Sequence, residues 1–406
     1  MNSFDIVVVG GGMIGSSVAK YLAKTSNLSI ALIGPVEENQ EWCHGAWFDE
    51  GRSTKIFDNS PYWQDLAVKS IRRYREIETE SGVGFFSESG YMYVTTSAAQ
   101  NPKYTLRTAQ TVHLTGNSCE RVTQSMFTND FPYLSLPEDE VCYYQPNMSG
   151  HLNPRSFVAA QQKIALDNSC ELVNEVVSSL TEVNGTFQIG TKPGHVFTAA
   201  QIVLANGAYA NFLPNIKVRN WDNGTKKLDL TLRTQTVAYL ELEKNEVDSK
   251  LSNFPSMTTS YQDGLLDGSY ILPPVEMPDG KWYIKLGHGD YFEHPIESLA
   301  EIEDWYNNHP QGDLEGVSEL ERYLKKILPN INFSSVHGGS CVTANTPGKL
   351  APFIDEVSPG FFVAVGGSGH AAKSSDEIGR IAAHLVTKSE WTTNIPQKYM
   401  KALWKE

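Results

Sequence analysis

Phe4-Asp5-Ile6-Val7-Val8-Val9-Gly10-Gly11-Gly12-Met13-Ile14-Gly15-Ser16-Ser17-Val18, near the start of the chain, reads as strand, turn and helix. The apolar β-formers Ile6 to Val9 run into Gly10, Gly12 and Gly15, and Ile14, Val18 and Leu22 then recur at helical spacing. In this G-x-G-x-x-G context Gly10 makes the tight turn, Gly12 lets backbone amides approach a pyrophosphate, and Gly15 allows close helix–strand packing. The helix opens at Met13 and Ile14, where free amides and the positive end of the dipole meet two phosphates. A dinucleotide site is expected. The plain alternative is a glycine turn of the kind any α/β domain needs, and the complete strand and helix context argues against it. The acid expected after the second strand, Ser29-Ile30-Ala31-Leu32-Ile33, is replaced by Gly34, so Glu37 or Glu38 is expected to accept from the ribose hydroxyls.

With 406 residues, 40% of them hydrophobic and 20% charged, the chain suits one large domain or two interleaved ones. Its 33 basic and 47 acidic residues give a formal charge of −14, which repels phosphate backbones and anionic lipid surfaces. Neither nucleic acid nor a membrane is an expected partner. No apolar run approaches spanning length, and a working strand at Phe4 leaves no room for a signal peptide, so a cytoplasmic protein is expected. Cys43, Cys119, Cys142, Cys170 and Cys341 are odd in number and scattered without a C-x-x-C pair, which indicates neither a disulfide framework nor a metal site.

Segments of cofactor-binding character return twice. A helix is expected over Tyr62 to Glu80 and a strand over Ser87 to Val94, followed by loops to about Ser149. A helix from Pro154 to Asp167, strands over Glu171 to Leu180 and Phe187 to Gly190, and the buried strand Gln201 to Gly207 come next. From about Leu228 alternating strands such as Thr236–Leu242 and Lys281–Leu286 read as an antiparallel sheet, with helices near 296–307 and 316–327. The run Phe361 to Val365 then ends in Gly366-Gly367-Ser368-Gly369-His370 and opens a last helix over Ser374 to Thr387. This second set of amides suits a ring system carried beside the phosphates, which points to FAD over NAD.

Several motifs in order resemble the D-amino-acid-oxidase-like flavoproteins, in the branch of monomeric sarcosine oxidase, N-methyltryptophan oxidase and pipecolate oxidase. They are Gly10 to Gly15, the Gly51-Arg52-Ser53-Thr54-Lys55 loop, Lys285-Leu286-Gly287-His288, Gly339-Ser340-Cys341, Phe353-Ile354-Asp355 and Gly367-Ser368-Gly369-His370-Ala371-Ala372-Lys373. The resemblance implies a Rossmann-like, glutathione-reductase-type FAD-binding domain over 1–86, 150–227 and 336–406. It is interleaved with an α+β substrate domain, built on a mostly antiparallel sheet, over 87–149 and 228–335.

By resemblance FAD is tethered through its 8α carbon to Cys341, while the other cysteines fill space. Lys285 lies on the strand face opposite Trp282, Ile284 and Leu286, with Gly287 leaving space beside it. The similar lysine in the family faces oxygen, where an ammonium stabilises developing negative charge. Arg52 matches the arginine near the flavin ring, and Lys373 lies close to flavin and substrate carboxylate. Lys55 stands where relatives carry a second arginine, and lysine offers a point charge instead of a bidentate fork. Thr343 and Gly289 replace a tyrosine and a histidine of sarcosine oxidase relatives, with His288 one residue away as a compensating candidate. Val177 and Gly207 match backbone positions near the adenine half.

The resemblance implies a monomeric amine oxidase. A hydride equivalent leaves the carbon next to nitrogen of a secondary or cyclic amine bearing an anionic group, water hydrolyses the imine, and molecular oxygen becomes hydrogen peroxide. Two rivals are an amine dehydrogenase that passes electrons to a quinone or an electron-transfer protein, and a non-catalytic dinucleotide-binding protein.

Overall fold

The computed structural model describes residues 2–35, 45–99, 102–213, 215–222, 226–288, 290–349 and 351–405. The expectations for Glu37, Glu38, Cys43 and Gly289 lie outside the described residues.

The opening strand Asn2–Val9 lies between Ile30–Ile33 and Val196–Leu204, parallel to both. The long strand Val196–Leu204 divides its far edge. Its first half pairs antiparallel with Thr186–Thr191, and Ile202 to Leu204 pair in parallel with Phe361–Val365. A strand buried on both faces needs no polar alternation, and Ile6, Val7, Val8, Ile202, Val203 and Leu204 are fully buried. Ile6 and Val8 face a helical layer in which Met13–Thr25 packs against Ser375–Lys388, with Val18, Leu22, Ile378 and Ile381 filling the interface. Val7 and Val9 face the opposite layer with Phe187, Ile189, Leu213 and Trp305.

A second sheet is antiparallel except where Ser256–Ser260 runs parallel to Tyr91–Thr96. At its centre Thr231–Leu242 is flanked by Trp282–His288 and Phe333–Asn345. Ala238, Leu240, Ile284 and Leu286 form one face, covered by Val317, Leu320 and Leu324 of the amphipathic helix Leu314–Ile327. The other face carries Lys285, Tyr239 and Cys341, because Tyr239 pairs with Lys285 and Gln235, four residues earlier on the same face, pairs with Cys341.

Some elements differ from expectation. The helix expected over 62–80 divides into Pro61–Ile71 and Tyr74–Ser81, and Arg73 between them reaches the buried carboxylates of Asp376 and Glu377. The strand expected over 87–94 divides at Gly90, whose φ of +80° turns the chain from the short strand Phe86–Ser87 into Tyr91–Thr96. Phe333–Asn345 belongs to the second sheet throughout, so the boundary expected at 336 falls inside a strand of that sheet. Tyr270 fills the space expected beside Gly287, where a Cβ would stand 2.3 Å from its ring. Among the described residues no helix is long and apolar enough to cross a membrane.

Candidate functional site

The parallel strands Asn2–Val9, Ile30–Ile33, Val196–Leu204 and Phe361–Val365 all end at one edge, where open α/β sheets bind ligands. A deep cavity lies there. Its floor is made by Gly10, Gly12, Met13 and Ile14 from the first turn and by Gly367 and Gly369 from the last. Gly207 follows the strand Val196–Leu204, Val177 comes from the strand Val177–Val183 of the same sheet, and Arg52 and Cys341 line another part of the wall. Gly15 stands behind the floor, where a Cβ would lie 1.9 Å from the Gly10 carbonyl oxygen. Only glycine lets helix and turn approach so closely.

The missing acid at position 34 has a steric reason. A Cβ there would stand 2.3 Å from the Gly11 amide nitrogen, so the first turn occupies the space of a side chain. The cavity also contains residues that sequence reasoning missed. The Asn206 side-chain oxygen is buried with no hydrogen-bond partner among the described residues. Trp47 lies against Gly12, its ring 3.2 Å from where a Cβ would sit. The sequence signal for Asn206 was its place in Ala205-Asn206-Gly207 at the mouth of a buried strand.

Arg52, Lys285 and Cys341 come together from separate elements. The Arg52 Nη2 lies 4.0 Å from the Cys341 sulfur, and Nη1 donates to the Gly51 carbonyl at 3.0 Å. Lys285 Nζ donates to that same carbonyl at 3.0 Å. Both cations also contact Asp49 Oδ2, an acid the sequence does not mark because Lys285 is 236 residues away in the chain. Burial pushes the Lys285 amine down to about 8, aided by the Arg52 charge and opposed by Asp49. Burial by itself would raise the Asp49 carboxyl; Arg52 and Lys285 override it and hold the group far below the usual range. Cys341 is half-buried. Cys119, Cys142 and Cys170 are buried, and burial pushes their thiols up, those of Cys119 and Cys170 to about 12, which leaves them poor nucleophiles.

A second charged cluster surrounds Asp58, also missed. Its Oδ2 accepts from Lys373 Nζ at 2.9 Å and lies 3.0 Å from His370 Nδ1, and the His370 ring stacks on Trp63. An anion near Lys373 was expected from outside the chain; the structure supplies a carboxylate of its own. Burial would raise Asp58, and Lys373 and His370 overcome this to hold it ionised. Lys55 is half-buried nearby, donating to Tyr91 Oη at 2.7 Å and Thr258 Oγ1 at 3.0 Å. Burial, with the Lys373 charge, brings its amine down to about 7.

His288 does not join either cluster. It shares its strand face with Ile284 and Leu286, so it points away from Lys285; its Nε2 accepts from the Thr236 amide at 3.2 Å and its ring meets Phe292 edge-on. His370 and Lys373 stand beside the cavity and do not line it.

The family described as DAO, FAD-dependent oxidoreductase, matches residues 5–385. Monomeric sarcosine oxidase of Bacillus sp. (strain NS-129) is 21% identical over 416 aligned positions, which cover 99% of this chain and 98% of that protein. A variant of NikD in its open form, described as an unusual amino acid oxidase essential for nikkomycin biosynthesis, has a TM-score of 0.79 at 17% identity, covering 99% of this chain and 98% of that one. L-Proline dehydrogenase from P. horikoshii has a TM-score of 0.76 at 20% identity, covering 98% and 97%. The two structural likenesses speak for the fold, and the family match spans nearly all of the sequence: the chain belongs to the DAO family of FAD-dependent oxidoreductases.

Proposed function

We propose that this protein is a FAD-dependent amine oxidase acting on a secondary or cyclic amine that carries an anionic group, with oxygen as electron acceptor. The observation that carries the reading is the convergence of Cys341, Arg52 and Lys285 from three elements. The cavity suits FAD on its own features: two turns of backbone amides at strand ends, glycines whose side chains would fill the cradle, and the unpartnered Asn206 oxygen. FAD, when bound, supplies the redox chemistry by taking a hydride equivalent from the carbon next to nitrogen and passing two electrons on.

The chain's residues do the rest. Amides of Gly12 to Ile14 hold the pyrophosphate, and Cys341 offers a sulfur for a thioether, with Arg52 Nη2 4.0 Å from it. Lys285 places an ammonium where negative charge develops on oxygen. Lys55 and Lys373 receive the anionic end of the substrate. Asp58 neutralises one of these two charges, so the pair keeps a net attraction for one carboxylate-like group. Because an anion binds the protonated amine, and Lys55 loses its proton near 7, KM is expected to rise as pH climbs through neutrality.

Acid precipitation tests the tether: yellow colour stays in the pellet of the native protein and passes to the supernatant for Cys341→Ser. A panel of N-methyl and cyclic amino acids, assayed for peroxide under air, tests the reaction. Bound flavin that no amine bleaches would remove the proposal. The second reading is an amine dehydrogenase with little use for oxygen; dye reduction without peroxide would select it.

A further inference from the structure

We infer that Asp49 is a positioning residue: one carboxylate, shared between Arg52 and Lys285, keeps the lysine ammonium aimed and charged although a second buried cation lies beside it. This rests on the proposed role of Lys285 toward oxygen.

The geometry leaves Asp49 no idle oxygen. Oδ1 accepts from the Glu50 amide at 2.7 Å and the Tyr239 hydroxyl at 3.3 Å, while Oδ2 takes both cations. Arg52 and Lys285 therefore share two acceptors, Asp49 Oδ2 and the Gly51 carbonyl. Lys285 is 1% exposed, so water does little to screen it from its neighbour. The titratable groups facing Lys285 are Asp49 and Arg52 from the loop, Tyr239 and Tyr270 from the adjacent strands, and Cys341 from the strand beyond. Burial raises both phenols, which stay neutral and provide no counter-charge. Arg52 does not lose its proton. Without Asp49, the lysine is the group that yields, and the amine leaves its protonated form at lower pH.

The test is Asp49→Asn in the holoenzyme, which keeps an acceptor for Glu50 and Tyr239. Reoxidation of the reduced enzyme by dissolved oxygen, delivering two electrons and two protons to give hydrogen peroxide, is followed by stopped flow from pH 6 to 9. The native rate falls as pH passes about 8. In the variant the fall moves down by at least about one unit, so the rate near pH 7.5 drops several-fold while that at pH 6 stays within about threefold. The flavin midpoint potential is the second readout. The trio carries a net +1 in the native protein and +2 in the variant until Lys285 loses its proton. The variant's potential is therefore more positive at pH 6 and again at pH 9, and comes nearest the native value in between, where its lysine has released a proton that the native lysine still holds.

Unchanged inflection, uniform slowing at every pH, or faster reoxidation throughout would overturn the role of Asp49. Asp49→Glu keeps the charge and must keep the inflection near 8; a fall at lower pH in this variant would overturn it equally. Lys285→Met separates the two readings, since reoxidation as fast as native would remove lysine from the oxygen step whatever Asp49→Asn does.

Discussion

The cavity floor and the charged clusters beside it are built on different principles. The floor is backbone: short turns at the ends of parallel strands, with glycine wherever two chain segments touch. The clusters are side chains. Asp49, Arg52 and Lys285, or Asp58, His370 and Lys373, meet across up to 315 residues of sequence and keep each carboxylate ionised in a buried place. A site made of amides tolerates changes in surface chemistry but no atom added where two segments touch, and a site made of charges tolerates small changes of volume but no lost partner.

The largest effect is therefore expected from Gly15→Val. Even its Cβ would overlap the Gly10 carbonyl oxygen, and the helix must move from the turn. Purified variant should contain almost no flavin by absorbance, whereas Gly207→Ala, whose Cβ meets nothing within 4 Å, pays only for φ +59° at roughly 1 kcal/mol and should stay yellow. Equal flavin content in both would break the distinction.

Next comes Asp58→Asn, which leaves the Lys373 ammonium, 4% exposed, without its carboxylate. Stranding a buried charge costs about 3–5 kcal/mol. Urea denaturation should show the loss, and Asp58→Asn combined with Lys373→Met should recover much of it.

A smaller effect is expected from pH. Lys55 has its pKa near 7 when folded against 10.5 as a free side chain. Between those values the unfolded chain holds a proton that the folded chain has released, so the group makes stability rise with pH from about 7 upward, and its cost is complete below 7. Lys285 acts the same way only above about 8. Unfolding free energies at pH 7 and 8 should thus rise in the native protein and rise less in Lys55→Met; identical slopes would show that Lys55 keeps its proton. The smallest effect belongs to His288→Gln, expected to change kcat by less than about twofold because the ring faces Phe292 and away from Lys285. A large loss of kcat with folding intact would move His288 back into the site.

The sequence by itself was sufficient for the opening strand, turn and helix, the helix Pro154–Asp167, the strand Phe361–Val365 and the alternation that sets Lys285 opposite Leu286. In each case a local period of burial or a steric demand of glycine carries the information. The tertiary structure alone decided that a helix breaks before Tyr74, that Phe333–Asn345 joins the second sheet, and that Asp49 and Asp58 are the counter-ions. Which acid meets which cation depends on two segments arriving together, and a carboxylate in a loop carries no local mark of the lysine it will neutralise. Burial then makes that pairing obligatory, because a charge taken out of water is retained only with a partner.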